Sequence, residues 1–208
     1  MNKHGSISER STSVNERLQT KDFVNIGIFA AIYLVGSFVV GTPFGMSVVA
    51  YMLYPFAYAV IGAIITVFFM ARCQKKWATF LFALLPFLVL HLMTGLHYLL
   101  LVHIVAFALI AELLRQWAGL HTYKGIALAH VALSLNMVAS YWQIFVNREA
   151  YYAKTLETMG ETFAMGYLSL PTWVLPVLYV SVIVGAVFGV LLAKRILEKN
   201  LEKSGIET

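Results

Sequence analysis

Four side chains able to do recognition chemistry, Asn136, Ser140, Gln143 and Asn147, recur along one otherwise apolar segment. At about 100° per residue they fall within a strip roughly 60° wide, so a helix here carries a continuous polar seam. Amides and hydroxyls left unsatisfied in hydrocarbon are costly, so such a seam must face other helices or a wet cavity. Two readings follow: hydrogen-bond glue between helices, or the wall of a binding site.

A second group is His91, His97 and His103. Ionisable residues in apolar segments tend to face protein or water. A spacing of about six residues does not stack them on one helical face, and a turn intervenes. Interfacial hydrogen bonding, contact with a ligand, and ligation of a metal or haem iron are therefore all open to them. Glu112 and Arg115 stand three apart on one helix and are expected to pair. His130, off the seam, reads as a satisfied packing residue. Paired acids, a His-Glu-x-x-His run and a serine beside a base are all missing, so no catalytic residue and no metal site is assigned. No Gly-x-x-x-x-Gly-Lys-Ser/Thr loop occurs either, so the chain is not expected to be an enzyme or to use ATP by itself.

The elements that must position these residues follow from composition. In 208 residues, 60% are hydrophobic and only 12% charged, far beyond the apolar share of a soluble domain. A hydrocarbon core about 30 Å thick needs roughly 20 apolar residues per helical crossing. Six runs meet that need, at about 22–41, 47–72, 77–95, 98–117, 124–146 and 171–195. The expected fold is an all-α six-helix membrane bundle over 21–197, with polar tails at 1–20 and 198–208. Of the 15 Lys and Arg residues, only Arg148 and Lys154 fall on one side of this arrangement. The positive-inside rule then places both termini in the cytoplasm. The basic residues serve topology and lipid headgroups, and a nucleic-acid partner is excluded. The lone Cys73 has no disulfide partner and reads as structural.

Small residues four apart recur as Gly27 and Ala31, Ala59 and Ala63, and Gly185 and Gly189. That spacing permits close backbone approach, whether for internal packing or for docking a partner helix. Pro55 and Pro86 invite kinks in the second and third helices. Between the fifth and sixth helices, Tyr152, Leu156, Met159, Phe163 and Tyr167 recur at helical spacing opposite Lys154, Glu157 and Glu161. Residues 148–168 therefore read as an amphipathic outer helix, resting in the headgroups or closing over the bundle as a lid.

Several stretches together resemble the Trep_Strep, or MptD-type, family. They are the opening Lys21-Asp-Phe-Val-Asn-Ile-Gly-Ile-Phe-Ala-Ala-Ile-Tyr33, the run Asn147-Arg-Glu-Ala-Tyr-Tyr152, Met159-Gly160, and Pro171-Thr-Trp-Val-Leu-Pro176. The resemblance covers about residues 20–196. It implies a substrate-binding S component of an energy-coupling factor importer, which captures a vitamin- or cofactor-like molecule from outside. It also implies partners: a transmembrane T component and two cytoplasmic ABC ATPases, which consume the ATP. The Ala-x-x-x-Ala motif of such components stands here as Gly27-x-x-x-Ala31, which preserves close approach.

Together these observations outline a substrate site of Asn136, Ser140, Gln143, Asn147, Trp142, His97, His103, Tyr152 and Trp173, and a docking face of Gly27, Ala31, Ala59, Ala63, Gly185 and Gly189. The aromatic residues suit a flat, partly polar molecule, haem included. The alternative from another class is a membrane scaffold without a small-molecule ligand.

Overall fold

The computed structural model describes residues 17–94 and 98–206, the side chains of 93 and 94 excepted. His97, residues 1–16 of the polar tail and the turn between the third and fourth helices lie outside the described residues. The elements are helical: α1 (Thr20–Gly41), a 3-10 turn (Thr42–Met46), α2 (Val48–Arg72), α3 (Ala78–Thr94) and α4 (Tyr98–Ala118). They continue with α5 (Tyr123–Ser134), a 3-10 segment (Leu135–Tyr141), α6 (Trp142–Val146), α7 (Arg148–Met159), α8 (Glu161–Leu168) and α9 (Val174–Lys203).

Starts are set by side chains that satisfy the free amides of a first turn. Ser47 accepts from the Ala50 amide at 3.1 Å to open α2, and Thr122 accepts from the Gly125 amide at 3.0 Å to open α5. Among the described residues, five segments are long and apolar enough to cross a membrane: Thr20–Met46, Val48–Arg72, Tyr98–Ala118, Tyr123–Val146 and Val174–Lys203. The third expected crossing, 77–95, is represented by the shorter apolar stretch Ala78–Leu92.

At the end of the bundle holding the α2–α3 connection, Glu112 and Arg115 anchor that connection, each binding backbone of its own. The Glu112 carboxylate accepts from the amides of Trp77 at 2.6 Å and Phe80 at 3.1 Å, and from Gln116 Nε2 at 2.6 Å. Arg115 donates to Thr79 Oγ1 at 2.7 Å and to the carbonyls of Met70 at 2.6 Å and Cys73 at 3.0 Å. Both charged groups are buried, and these bonds offset their desolvation. The amide bond to Glu112 also holds Trp77 at a φ of 69°, a conformation unusual for a side chain of that size. Burial, with Asp22 nearby, pushes the neighbouring Cys73 thiol up to about 11, so it stays protonated.

The small-residue faces of α2 and α9 close on each other. A methyl group added at Gly189 would lie 2.7 Å from the Ala59 and Val60 carbonyl oxygens and 2.9 Å from Ala63 Cβ; at Gly185 it would lie 2.8 Å from Phe56 O. Ala59, Ala63, Gly185 and Gly189 therefore serve internal packing, and their expected place in a docking face is corrected. Gly27 and Ala31 remain exposed, and a methyl at Gly27 would meet nothing within 4 Å.

The fifth segment departs from the continuous helix expected over 124–146. The Ser134 hydroxyl donates to the His130 carbonyl at 2.7 Å, competing with the α-helical bond to that oxygen, and the chain tightens into the 3-10 segment. About 120° per residue replaces 100° there, so the polar seam does not run as one straight strip. The outer helix also divides. Gly160, at a φ of 86°, breaks it into α7 and α8, and Arg148 ties the pair together by donating to the carbonyls of Leu168 at 3.1 Å and Leu170 at 3.0 Å. Its inward residues are Tyr151, Thr155, Ala164 and Tyr167, whereas Leu156 and Met159 of the expected apolar face are exposed.

Replacing Gly189 with Leu should overpack the α2–α9 contact and cost roughly 1–3 kcal/mol. Melting curves of the detergent-solubilised protein should fall for Gly189→Leu and stay unchanged for Gly27→Leu, because only the first substitution meets backbone.

Candidate functional site

At the end of the bundle under α7, the helices part around a cavity of about 420 Å³. This lies within the span of small-molecule sites, roughly 300–1,000 Å³. The break in the fifth segment places Asn136, Ser140 and Gln143 on its wall, joined by Ser37 from α1, Tyr51 and Tyr54 from α2, and His91 from α3. Tyr151, Lys154 and Thr155 of α7 cover it.

Two buried polar side chains stand in this wall. His91, 2% exposed, donates through Nδ1 to the Phe87 carbonyl at 2.7 Å, which leaves Nε2 of the neutral ring as an unmet acceptor. Asn136, fully buried, donates through Nδ2 to the Ile104 carbonyl at 3.4 Å, and its side chain also meets the imidazole of His103 on the same helix. An orphaned polar atom costs about 1–3 kcal/mol, and in this wall His91 Nε2 bears that cost.

The aromatic wall is ordered from α2. Tyr51 and Tyr54 lie 6.4 Å apart with planes 25° from parallel, and Tyr54 and Tyr58 repeat this at 6.1 Å and 28°. Tyr51 also stands edge-on to Tyr167 of α8 at 6.0 Å, and Tyr151 to Tyr167 at 5.4 Å, so the lid rests on the tyrosine row through ring contacts. Burial holds the Tyr151 and Tyr167 phenols above their ordinary value, so the lid presents neutral hydroxyls.

The other expected site residues are distributed around this cavity. Asn147 and Trp142, with Gln143, line a neighbouring cleft of about 130 Å³ that shares Gln143, Tyr151 and Lys154 with the main cavity. His103 stands behind the wall: its Nε2 lies 2.6 Å from the Tyr179 hydroxyl, which also accepts from Trp142 Nε1 at 2.8 Å. Tyr152 is half-buried and outside the described lining, and Trp173 is 63% exposed and likewise outside it. Both therefore stand outside the substrate site expected to include them. His130 is bound at Nε2 to the Ala59 carbonyl at 2.9 Å, deep in the packing of α2 against α5. Tyr51, Tyr54, Ser37 and Thr155 were not anticipated. The only sequence signal for the first two is the Tyr51, Tyr54, Tyr58 stripe at helical spacing, which core packing would produce equally well.

The arrangement is suited to hold a molecule. Among the described residues no group of three or more His, Cys, Asp or Glu is placed to grip a metal ion. Removing the tie between α7 and α8 should loosen the cover without unfolding the bundle. Arg148→Ala should speed amide hydrogen exchange across 148–170 by roughly tenfold or more, the equivalent of losing charge-assisted bonds worth about 1.5–3 kcal/mol. Exchange in α2 and α9 should stay as in the unaltered protein.

Compared with known proteins, the chain matches the family profile described as a hypothetical bacterial integral membrane protein (Trep_Strep) over residues 20–203. No curated protein and no solved structure matches it. The match spans the helical bundle from α1 to the end of α9, including every helix long and apolar enough to cross a membrane. The chain therefore belongs to the Trep_Strep family of bacterial integral membrane proteins and is a multi-pass membrane protein.

Proposed function

We propose that this protein is the substrate-binding S component of an energy-coupling factor importer. It captures a small molecule in the cavity beneath α7 on the outer side of the membrane, and both of its termini lie in the cytoplasm. Its partners are a transmembrane T component and two cytoplasmic ABC ATPases, which supply the energy. The observation that carries the reading is the cavity of about 420 Å³, walled by polar and aromatic side chains of α1, α2, α3 and the fifth segment and covered by α7. A scaffold gains nothing from a polar-walled cavity of this size, whereas a receptor recovers its cost when a ligand fills it. The exposed Gly27 and Ala31 face of α1 supports the partner assignment, since a second helix can approach its backbone closely.

Solubilisation of native membranes in mild detergent should recover the protein with a T subunit, two ATPases and a retained small molecule identified by mass spectrometry. Recovery of the folded protein without any of these would leave the scaffold reading in its place. For the retained molecule, Asn136→Ala and Gln143→Ala should each weaken binding roughly tenfold to a hundredfold. His130→Ala lies away from the cavity and should leave affinity unchanged.

Gly27→Leu should leave ligand affinity and melting temperature as they are while abolishing copurification of the ATPases and uptake. Normal uptake by an intact complex of this variant would remove α1 as the docking helix.

A further inference from the structure

The cavity and the cleft beside it meet at three side chains. Gln143 of α6 with Tyr151 and Lys154 of α7 line both recesses, so they stand at the junction between them. All three can donate hydrogen bonds, and Lys154 does so with a full positive charge. Ser140 and Thr155 add hydroxyls on the cavity side.

Charge at this junction has one sign. Among the described residues, no Asp or Glu lines either recess, and Lys154 is the one Lys or Arg that does. The acids of the outer helices lie elsewhere. At 100° per residue, Glu149 and Glu157 fall roughly 120° or more around α7 from the cavity face of Tyr151, Thr155 and Thr158. Both are exposed, as is Glu161 of α8. Arg148, the other basic residue of the cover, donates to the Leu168 and Leu170 carbonyls. An ammonium carries three donors, so Lys154 can keep a contact within the chain and still receive an anion. An anion at the junction meets a cation and neutral donors together, the combination that offsets the loss of its hydration.

The remaining lining is largely aromatic and aliphatic, with Tyr51, Tyr54, Phe87, Leu90 and Met137. Tyr51 and Tyr54 lie 25° from parallel, a surface on which a flat ring system packs with little loss of contact.

On the reading of this cavity as the substrate site, we infer that it takes a planar aromatic carboxylate, with the anion received at the junction by Lys154, Gln143 and Tyr151 and the ring system laid against Tyr51 and Tyr54. Lys154 is then the residue that selects for charge, and the tyrosine row selects for flatness.

The test uses the full-length protein in an uncharged detergent with naphthoate, naphthamide and octanoate. The first two share one ring system and nearly one shape and differ in charge; the third is an acid without a ring, as a membrane fatty acid would be. Affinities are read by saturation-transfer NMR titration at neutral pH, where both acids are ionised. Naphthoate should bind at least about tenfold more tightly than naphthamide, and more tightly than octanoate. Lys154→Gln should bring naphthoate and naphthamide to nearly equal affinity, whereas Lys154→Arg should keep most of the preference. Lys154 is exposed, so neither change disturbs the packing of the bundle. Naphthamide or octanoate binding as tightly as naphthoate, a charge preference that survives Lys154→Gln, or no probe binding at all would each overturn the inference. Copurification of the ATPases is measured separately, so an absent charge preference in a protein that brings its ATPases removes only the ligand class. Charge preference without any ATPase partner supports the ligand class and removes the importer.

Discussion

The backbones of α2 and α9 approach until a single added methyl at Gly189 would overlap the Ala59 and Val60 carbonyl oxygens, and much of the bundle is arranged about that contact. Between apolar helices in an apolar solvent, association rests on dispersion and on polar bonds, so small side chains matter more than greasy ones. With α9 held against one face, α2 also touches α1 and α5. Its lid-end half is thereby oriented to present Tyr51 and Tyr54 to the cavity, while its other half supplies the Met70 carbonyl that Arg115 grips. One helix thus joins the rigid end of the molecule to the end that can hold a ligand.

The two ends handle polarity in opposite ways. Around Glu112 and Arg115, buried charge is matched by backbone amides, carbonyls and a hydroxyl drawn from a short connection, which makes that end structurally specified. Around the cavity, Ser37, Asn136, Ser140 and Gln143 gather from distant segments beside Tyr51 and Tyr54. Polar side chains gathered around a cavity lower stability, and that is the pattern of a site that completes itself with something from outside. The cover over that void is held by ring contacts and by Arg148, both weaker than the packing of the bundle and easier to open.

The 3-10 segment connects these features. A continuous helix through 135–141 would have carried Asn136, Ser140 and Gln143 in one register. The tightened turn that begins after Ser134 buries Asn136 completely and leaves Ser140 and Gln143 half-exposed on the cavity wall. The change costs α-helical bonds in the middle of an apolar span, and non-helical backbone at such depth is tolerated where protein surrounds it or it lines a cavity. Both conditions hold here, since the segment packs on α4 and α9 and faces the void.

Amino-acid order alone determined the class of molecule, because apolar runs of membrane-spanning length have no other stable home, and it singled out the Asn136 to Gln143 stretch as the polar exception. It also marked the amphipathic stretch after the fifth span and the small-residue faces, since both are local periodicities. What those faces touch was beyond it: Ala59, Ala63, Gly185 and Gly189 are spaced like Gly27 and Ala31, and only the bundle decides which pair is buried and which is left open. The same holds for the cavity wall. Ser37, Tyr51, Tyr54 and His91 are far apart in the chain and ordinary in their own helices, and they converge through the mutual packing of α1, α2 and α3. Periodicity assigns a residue to a face of its own helix, while the partner of that face is set by packing among distant segments, a non-local property that no single stretch encodes.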